Sequence, residues 1–305
     1  MSAPAAARGP RRRLDGVLLL DKSLGMTSNH ALQAARRLFN AAKAGHTGTL
    51  DPLATGLLPL CFGEATKFSG ELLGADKRYR ATIQLGTATT TADAEGEVIA
   101  RRPVVVDAAQ VLDVLTAFVG EIDQVPPMHS ALKHEGRPLY DYARAGIEIA
   151  RPARRVCIHS LRLCDWDPAA ARLVVEVDCS KGTYVRTLAA DIGERLGCGA
   201  HLGGLRRTGI GDLDVASAHA LDAIERTPAD GRDGMLLPID ALLGALPVAR
   251  LDTTDAARLR HGQAVRWSGT EGDRVRAYDG EGALIGLCRL DADGWLCPQR
   301  LVATA

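Results

Sequence analysis

The stretch GHTGTLDPLATGLL at residues 45–58 sets one carboxylate, Asp51, among glycines, threonines and leucines with no basic residue beside it. Gly45, Gly48, Pro52 and Gly56 fall within a dozen positions, which excludes a regular buried strand through the whole stretch. A solvated turn would carry more polar side chains around its acid. Asp51-Pro52 fits a helix start, with Asp51 as N-cap and Pro52 at the first helical position. Against that, Thr55-Gly56 would stop the helix after one turn. A phosphate-binding loop is excluded, because the Gly-Lys-Ser/Thr ending is missing. Asp51 is thus either a structural cap or a working carboxylate.

The 305 residues can bury a large core and suit one big domain with a smaller partner. Hydrophobic residues at 46% and charged residues at 24% are ordinary for a globular protein, and no apolar run approaches the roughly 20 residues that span a bilayer. Residues 1–13, Ala-rich and then carrying Arg8, Arg11, Arg12 and Arg13, lack the apolar core of a secretory signal. They are expected to form a disordered basic tail, with a weak nonspecific hold on a polyanion as the functional alternative. The seven cysteines include no C-x-x-C, so neither a disulfide framework nor a zinc ribbon is present in the pattern. Cys198 and His201 form one C-x-x-H without a second ligand pair. Reduced thiols packed as small hydrophobes, in a cytoplasmic protein, account for the pattern better.

Along the chain, GVLLLD (16–21) reads as a buried strand. Ser28 caps a helix running through Leu32, Ala35 and Leu38 to Phe39. A helix is expected near Glu64–Leu73, a half-buried strand over 79–86, and a helix from Asp107 to Phe118. Residues 122–152, with Pro126-Pro127, Pro138 and Pro152, read as a long mobile insertion. Two strands from Arg155 to Cys179 flank Asp165–Ala170. The segment KGTYVRTLAADIGERLG starts as strand and becomes helix near Thr187, and 236–247 reads as helix and linker. Short alternating runs over 248–305 predict a small β-rich module. The elements do not follow strict βαβ order, so the fold class expected is α+β.

Net charge is zero, so overall charge gives no support for a nucleic-acid partner. The distribution says more. Lys133, His134, Arg137 and Arg144 interleave with Tyr140 and Tyr142, and Arg151, Arg154 and Arg155 follow without an acid between them. Basic groups alternating with aromatics suit a phosphate backbone with bases to stack upon. An amphipathic helix over Pro138–Ala145 with a solvated face explains the first group equally well.

Four stretches, GVLLLDKSLGMTS, AGHTGTLDPLATGLLPLCFGEATKF, DKRYRATIQLG and CSKGTYVRTLAADIG, together with PPMHSALK and the C-terminal module, resemble the bacterial tRNA pseudouridine synthases of the TruB type. These act on uridine 55 of the tRNA T loop. The resemblance runs in order from about residue 14 to the end, and G-x-L-D-P-x-A-x-G is its most specific part. Ser23 departs from it, because the family commonly has Pro after the Lys, which bears on the stiffness of the turn before Gly25. The resemblance implies a pseudouridine synthase fold, with a mixed, largely antiparallel sheet flanked by helices and loops. It divides the chain into a catalytic domain over 14–247, whose insertion 122–152 clamps RNA, and a PUA-like RNA-binding module over 248–305.

The resemblance also places the family's nucleophile on Asp51, its cationic partner on Arg186 and the aromatic that stacks on the target uracil on Tyr79. Tyr184 lies near it and is a candidate for removing the proton from C5. His46 is the candidate for contacting the stack vacated by a flipped base. Leu205 and Lys22 are placed with the substrate-binding residues, and Arg206 and Arg207 near phosphates. The expected partner is tRNA through its T arm, bound by a monomer away from any membrane.

The chemistry stands on its own. Uridine becomes pseudouridine by breaking the C1′–N1 bond and joining C1′ to C5 of the same base. No electrons leave and nothing is hydrolysed, so no cofactor is expected. A carboxylate beside sugar and base is needed, as in covalent glycoside chemistry, and water must be kept out, a task suited to Leu50, Leu53 and Leu57. Attack at C1′, attack at C6 and removal of the 2′ hydrogen are all open to Asp51. Desolvation in an apolar pocket would raise the pKa of this carboxylate, and a charge-assisted contact with Arg186 would keep it ionised. A glycosidase would need two carboxylates flanking the bond, and the motif stretches offer no second acid in an apolar setting. A tRNA-folding chaperone acting without chemistry is the remaining alternative.

Overall fold

The computed structural model describes residues 10–269 and 274–303. Its strands are β1 (Gly16–Lys22), β2 (Ala54–Phe62), β3 (Lys77–Leu85), β4 (Gly120–Gln124), β5 (Arg154–Asp167), β6 (Arg172–Cys179), β7 (Ala200–Ile210) and β8 (His219–Ala220). They form one mixed sheet in the order β8-β1-β2-β7-β3-β6-β5-β4. Only β1–β8 and β2–β7 run parallel, so the sheet is largely antiparallel, as expected. Along the central β2 nearly every residue is buried, which explains a continuous apolar run where a one-sided strand would alternate.

Helix α1 (Ser28–Leu38) packs Ala31, Leu32 and Ala35 against Leu58, Leu60 and Phe62 on one face of β2. The other face sets Leu57 and Cys61 against Phe68, Leu72, Leu242 and Leu243. Helices α2 (Ala108–Ala117) and α4 (Val185–Arg195) cover β3, β6 and β7 through Val111, Leu115, Leu188 and Ile192. Helix α2 begins in a full capping box between Asp107 and Gln110.

Several local expectations need correction. Thr27, not Ser28, caps α1, and its hydroxyl accepts from the His30 N–H. The region 64–73 forms two short 3₁₀ segments, Gly63–Phe68 and Glu71–Leu73, since Gly70 and Gly74 interrupt a longer helix. Helix α4 starts at Val185, and the segment before it is a turn with no strand. Over 236–247 the chain makes a 3₁₀ segment, Ile239–Leu243, instead of an α-helix. The insertion 122–152 holds the end of β4, a tiny hairpin (Lys133–His134 with Arg137–Pro138) and the short helix α3 (Leu139–Arg144). Of the expected tail, residues 1–9 lie outside the described residues, whereas Arg12 is anchored to the Asn40 carbonyl and to Asp233.

A second sheet of five strands, β9 (Val248–Arg250), β10 (Val265–Arg266), β11 (Val275–Tyr278), β12 (Leu284–Leu290) and β13 (Trp295–Leu301), takes the order β9-β11-β12-β13-β10. The helix α5 (Thr253–Arg260) packs Ala256 and Leu259 into its core. Leu287 of this module joins Phe68, Leu72 and Leu243 of the larger unit. Lys67 Nζ donates to the Leu301 carbonyl at 2.8 Å, and the Ala303 N–H donates to Glu64 at 2.6 Å.

Candidate active site

Asp51 sits in a turn that leads directly into β2. The Ala54 N–H donates to the Asp51 carbonyl, and no helix follows, so the capping reading fails. The turn is stapled from behind. Ser28 Oγ accepts from the Leu50 N–H at 2.8 Å and donates to the Leu50 carbonyl at 3.0 Å, while the Gly25 N–H donates to the Pro52 carbonyl at 2.9 Å. The carboxylate is thereby carried on fixed backbone.

Arg186, in the first turn of α4, brings its Nη2 to 3.2 Å from Asp51 Oδ2. The arginine side chain is only 9% exposed and the Asp51 side chain 45%, so the cation lies beneath a carboxylate that faces outward. Three further anchors hold the guanidinium: Nη2 donates to the His129 carbonyl at 2.6 Å, and Nη1 donates to the Thr91 carbonyl at 3.4 Å and lies 3.3 Å from Asp93 Oδ2. His129 belongs to the insertion, which thereby touches the site.

Asp93 was not among the residues expected from the sequence. Its side chain is 3% exposed. The loop that carries it is strapped to β7 by the Ala94 N–H to the Leu202 carbonyl and by the Leu202 N–H to the Ala92 carbonyl. Asp93 Oδ1 accepts from Thr91 Oγ1 and from the Glu95 N–H, so each carboxylate oxygen has a partner. Asp93 is thus a second enclosed acid, outside the motif stretches and paired to a cation. It lies behind the arginine, away from any bond that Asp51 could flank. Burial, then Asp93 and Asp51, push the nearby Glu95 carboxyl up.

Position 79 of β3 pairs with Arg207 on β7. Arg207 is 2% exposed, donates through Nε to the Leu57 carbonyl at 2.8 Å and meets the Tyr79 hydroxyl. Burial pushes the Tyr79 phenol up and Arg207 opposes that shift, while burial pulls the Arg207 guanidinium down. Arg207 therefore does not reach toward phosphates. Gly56 makes this packing possible: its φ is +97°, and a Cβ there would lie 2.3 Å from the Arg207 carbonyl oxygen. Arg206 is held in a bidentate pair by Asp21, at 2.9 and 2.7 Å.

Lys22 lies under the site instead of on its surface. It is 1% exposed, and its ammonium donates to the Ser23 and Met26 carbonyls at 3.0 and 2.6 Å. Burial brings its pKa down to about 8, with Asp51 opposing and Arg207 adding to the shift. His46, on the short strand Ala44–His46 paired to β2, is half-buried, and burial and Arg207 push its imidazole down. Tyr184 is the N-cap residue of α4. The Gln124 side chain grips its backbone at both ends, accepting from its N–H at 3.0 Å and donating to its carbonyl at 3.3 Å. Burial pushes the Tyr184 phenol up.

Leu205, Leu202, Leu53 and Ala54 close around Asp51, Asp93 and Arg186 to leave a cavity of about 10 Å³, the space of roughly one water. A nucleobase needs the outer wall to move or sits over the exposed side of Asp51. Leu53 lines this cavity and Leu50 packs near α1, whereas Leu57 lies on the opposite face of the sheet. On the insertion, Arg137 lies over the Tyr142 ring at 4.8 Å and Arg144 over Tyr140 at 5.4 Å. Stacking of bases there has to displace these cations. Asp51, Arg186, Leu205 and Asp93 are thus brought together, with Tyr79 and Lys22 linked to them through the buried Arg207.

Residues 36–185 match the TruB family pseudouridylate synthase N-terminal domain. The chain belongs to the TruB family. Residues 186–244 match the tRNA pseudouridylate synthase B C-terminal domain, and 247–302 the C-terminal domain of pseudouridine synthase II TruB. The tRNA pseudouridine synthase B of Thiobacillus denitrificans is 58% identical over 294 residues, covering 96% of this chain and 98% of that one. That of Burkholderia mallei is 56% identical over 304 residues, covering 97% of each. A chain in a crystal structure of a Cbf5-Nop10-Gar1 complex superposes with TM-score 0.70 at 27% identity, over 90% of this TruB-family chain and 78% of that chain. A chain of an H/ACA RNP bound to a substrate RNA containing 2′-deoxyuridine shares the fold at TM-score 0.72 and 22% identity, covering 95% of this chain and 85% of that one. Membership makes the chain a pseudouridine synthase, an isomerase. No helix among the described residues is long and apolar enough to cross a membrane.

Proposed function

We propose that this chain isomerises uridine 55 in the T loop of tRNA to pseudouridine, as a cytoplasmic monomer, with Asp51 as the nucleophilic carboxylate. The observation that carries the reading is the 3.2 Å contact between a half-exposed Asp51 and a buried Arg186. The arginine fixes the direction of the carboxylate, and the leucines around it exclude water from the intermediate. Uridine 55 has to leave the T-loop stack to meet Asp51, since a stacked base cannot present its sugar and base edge to the carboxylate. His46 fills the space the base leaves, and Tyr79 stacks on the flipped uracil. Tyr184 takes the C5 proton once the base has been re-attached through C5. The insertion and the C-terminal module hold the T arm around this point.

Asp51→Asn tests the reading. The turn uses the Asp51 backbone carbonyl, so the variant keeps its local structure. It is expected to bind tRNA with unchanged affinity and to form no pseudouridine in an unmodified transcript. A transcript with cytidine at position 55 should remain unmodified by the parent. Turnover by the asparagine variant, or pseudouridine at another position of that transcript, overturns the assignment.

A further inference from the structure

Cys157 lies outside the site described above, on the strand β5. Its neighbours Val156 and Ile158 point into the core, so Cys157 stands on the opposite face. His159 would follow two residues on, but the β5–β6 register slips at this point: Ile158 pairs with Cys179 and Ser160 with Asp178. His159 is the extra residue of a bulge, and bulges re-aim the side chain they carry. Its Nδ1 lies 3.6 Å from Cys157 Sγ, and its Nε2 lies 3.1 Å from Asp76 Oδ2 at the entrance to β3. A thiol, an imidazole and a carboxylate stand in line.

The other cysteines give a comparison within one molecule. Cys61, Cys179, Cys198 and Cys288 are buried, and burial pushes Cys61, Cys179 and Cys288 up to about 12. Cys157, Cys164 and Cys297 are all half-buried. Cys164 Sγ faces the Arg162 carbonyl, and Cys297 Sγ faces the Trp295 carbonyl and Asp291. Cys157 differs from these two in facing an imidazole nitrogen, at 3.6 Å, whereas the carboxylate facing Cys297 lies at 4.0 Å, and a carboxylate is far too weak a base to take a thiol proton. Glu121, opposite Cys157 on β4, is engaged by Arg155 at 3.5 Å.

We propose that Cys157 is a nucleophilic thiol, activated by His159 and Asp76, and a site of mixed-disulfide formation with low-molecular-weight disulfides. Asp76 accepts the Nε2–H and fixes the tautomer that leaves the Nδ1 lone pair facing sulfur. Nδ1 takes the thiol proton, and the thiolate attacks one sulfur of the disulfide. The Cys157 S–S bond forms as the disulfide's own S–S bond breaks, and the departing thiolate takes the proton from the imidazolium. The step is an exchange and needs no other oxidant. The adduct sits beside the loop that delivers Tyr184 and Arg186, because the Cys157 N–H donates to Ser180 Oγ and the Ser180 N–H donates to the Cys157 carbonyl.

The test uses the full-length reduced protein and oxidised glutathione near pH 7, with site-resolved mass spectrometry over time. A free thiol is a few per cent thiolate at this pH, so Cys157 should react about tenfold faster than Cys164 and Cys297. His159→Gln should bring Cys157 down to their rate, and Asp76→Asn should fall between. Both residues are substantially exposed, so these variants are expected to fold. Dithiothreitol should reverse the adduct. Equal rates at the three half-buried cysteines, or a Cys157 rate unmoved by His159→Gln, overturn the proposal.

Discussion

Asp93→Asn separates the charge of the hidden carboxylate from its shape. The asparagine carbonyl can still accept from Thr91 Oγ1 and the Glu95 N–H, the two bonds now made to Oδ1. Its amide then faces Arg186 Nη1, donor against donor, where Oδ2 now lies at 3.3 Å. The two side chains are 9% and 3% exposed, so solvent hardly screens the pair. Removing one partner of such a buried pair costs about 3–5 kcal/mol, and the retained bonds put the asparagine near about 3. For a chain of 305 residues that is a drop in Tm of about 5 °C. The guanidinium keeps the His129 and Thr91 carbonyls and Asp51 as partners, but with a donor facing Nη1 it should swing away from its present direction and carry Asp51 with it. If most of the lost energy falls on that alignment, kcat falls by about a hundredfold, at 1.36 kcal/mol per decade. Tritium released from C5-labelled uridine in tRNA reports turnover, since the C5 hydrogen leaves in the reaction, and filter binding reports affinity, which should not change. An asparagine variant with parental Tm and parental kcat would refute the idea that Asp93 steers Arg186.

Arg186→Lys should abolish most turnover with little loss of tRNA affinity, because one ammonium cannot span Asp51, Asp93 and the His129 carbonyl as the planar fork does; an equal loss of affinity would mean that Arg186 mainly serves phosphate. Lys22 titrates at about 8 in the fold and at its ordinary 10.5 when unfolded, so between these values the unfolded chain binds more protons and stability rises with pH, the full burial penalty being present below about 8. The stability of the parent relative to Lys22→Met should therefore rise between pH 8 and 10.5 by on the order of 3 kcal/mol in urea titrations, and a pH-independent difference would remove the buried ammonium from the argument. Deleting residues 248–305 should lower Tm and solubility, because Leu287 is withdrawn from Phe68, Leu72 and Leu243. A soluble truncation with parental tRNA affinity and salt dependence would show that the module neither shields that edge nor binds RNA.

Asp51 stood out in the sequence because a lone acid among glycines and leucines suits neither an ordinary turn nor a strand; Arg186 and Tyr79 were placed by the resemblance alone, and the structure sets Arg186 3.2 Å from Asp51. The sequence also made β1, β3 and the β5–β6 pair legible, since each carries its own apolar run or alternation, whereas the central β2 was not expected, because Gly56 and Pro59 interrupt its apolar run. Ser28 was visible as a helix-start residue, yet its hydroxyl does something periodicity does not encode: it holds Leu50 across 22 positions of chain. Asp93 was illegible for a related reason. The segment TTTADAEGE has the composition of a solvated turn, and only the strap to Leu202 on β7 buries the acid. Arg207 was misplaced because two adjacent arginines on a strand point to opposite faces. One meets Asp21 at the surface and the other enters the core, and the choice is made by the register that sets Gly56 against residue 207.

That register has a consequence for how the charges divide. Arg186, Arg207 and Lys22 put three cations under a site with one outward carboxylate, and Asp93 compensates one of them. Arg207 has the Leu57 carbonyl and the Tyr79 hydroxyl instead of an acid, and one of its Nη atoms is without a protein partner among the described residues. Lys22 has two carbonyls. Leaving cations uncompensated in a core is unfavourable for the fold alone, and burial draws both of them toward the neutral form. The same surplus of positive potential attracts a polyanion to the mouth of the site, so charge that is unfavourable for the fold alone serves, in the proposed reaction, as electrostatic preorganisation there.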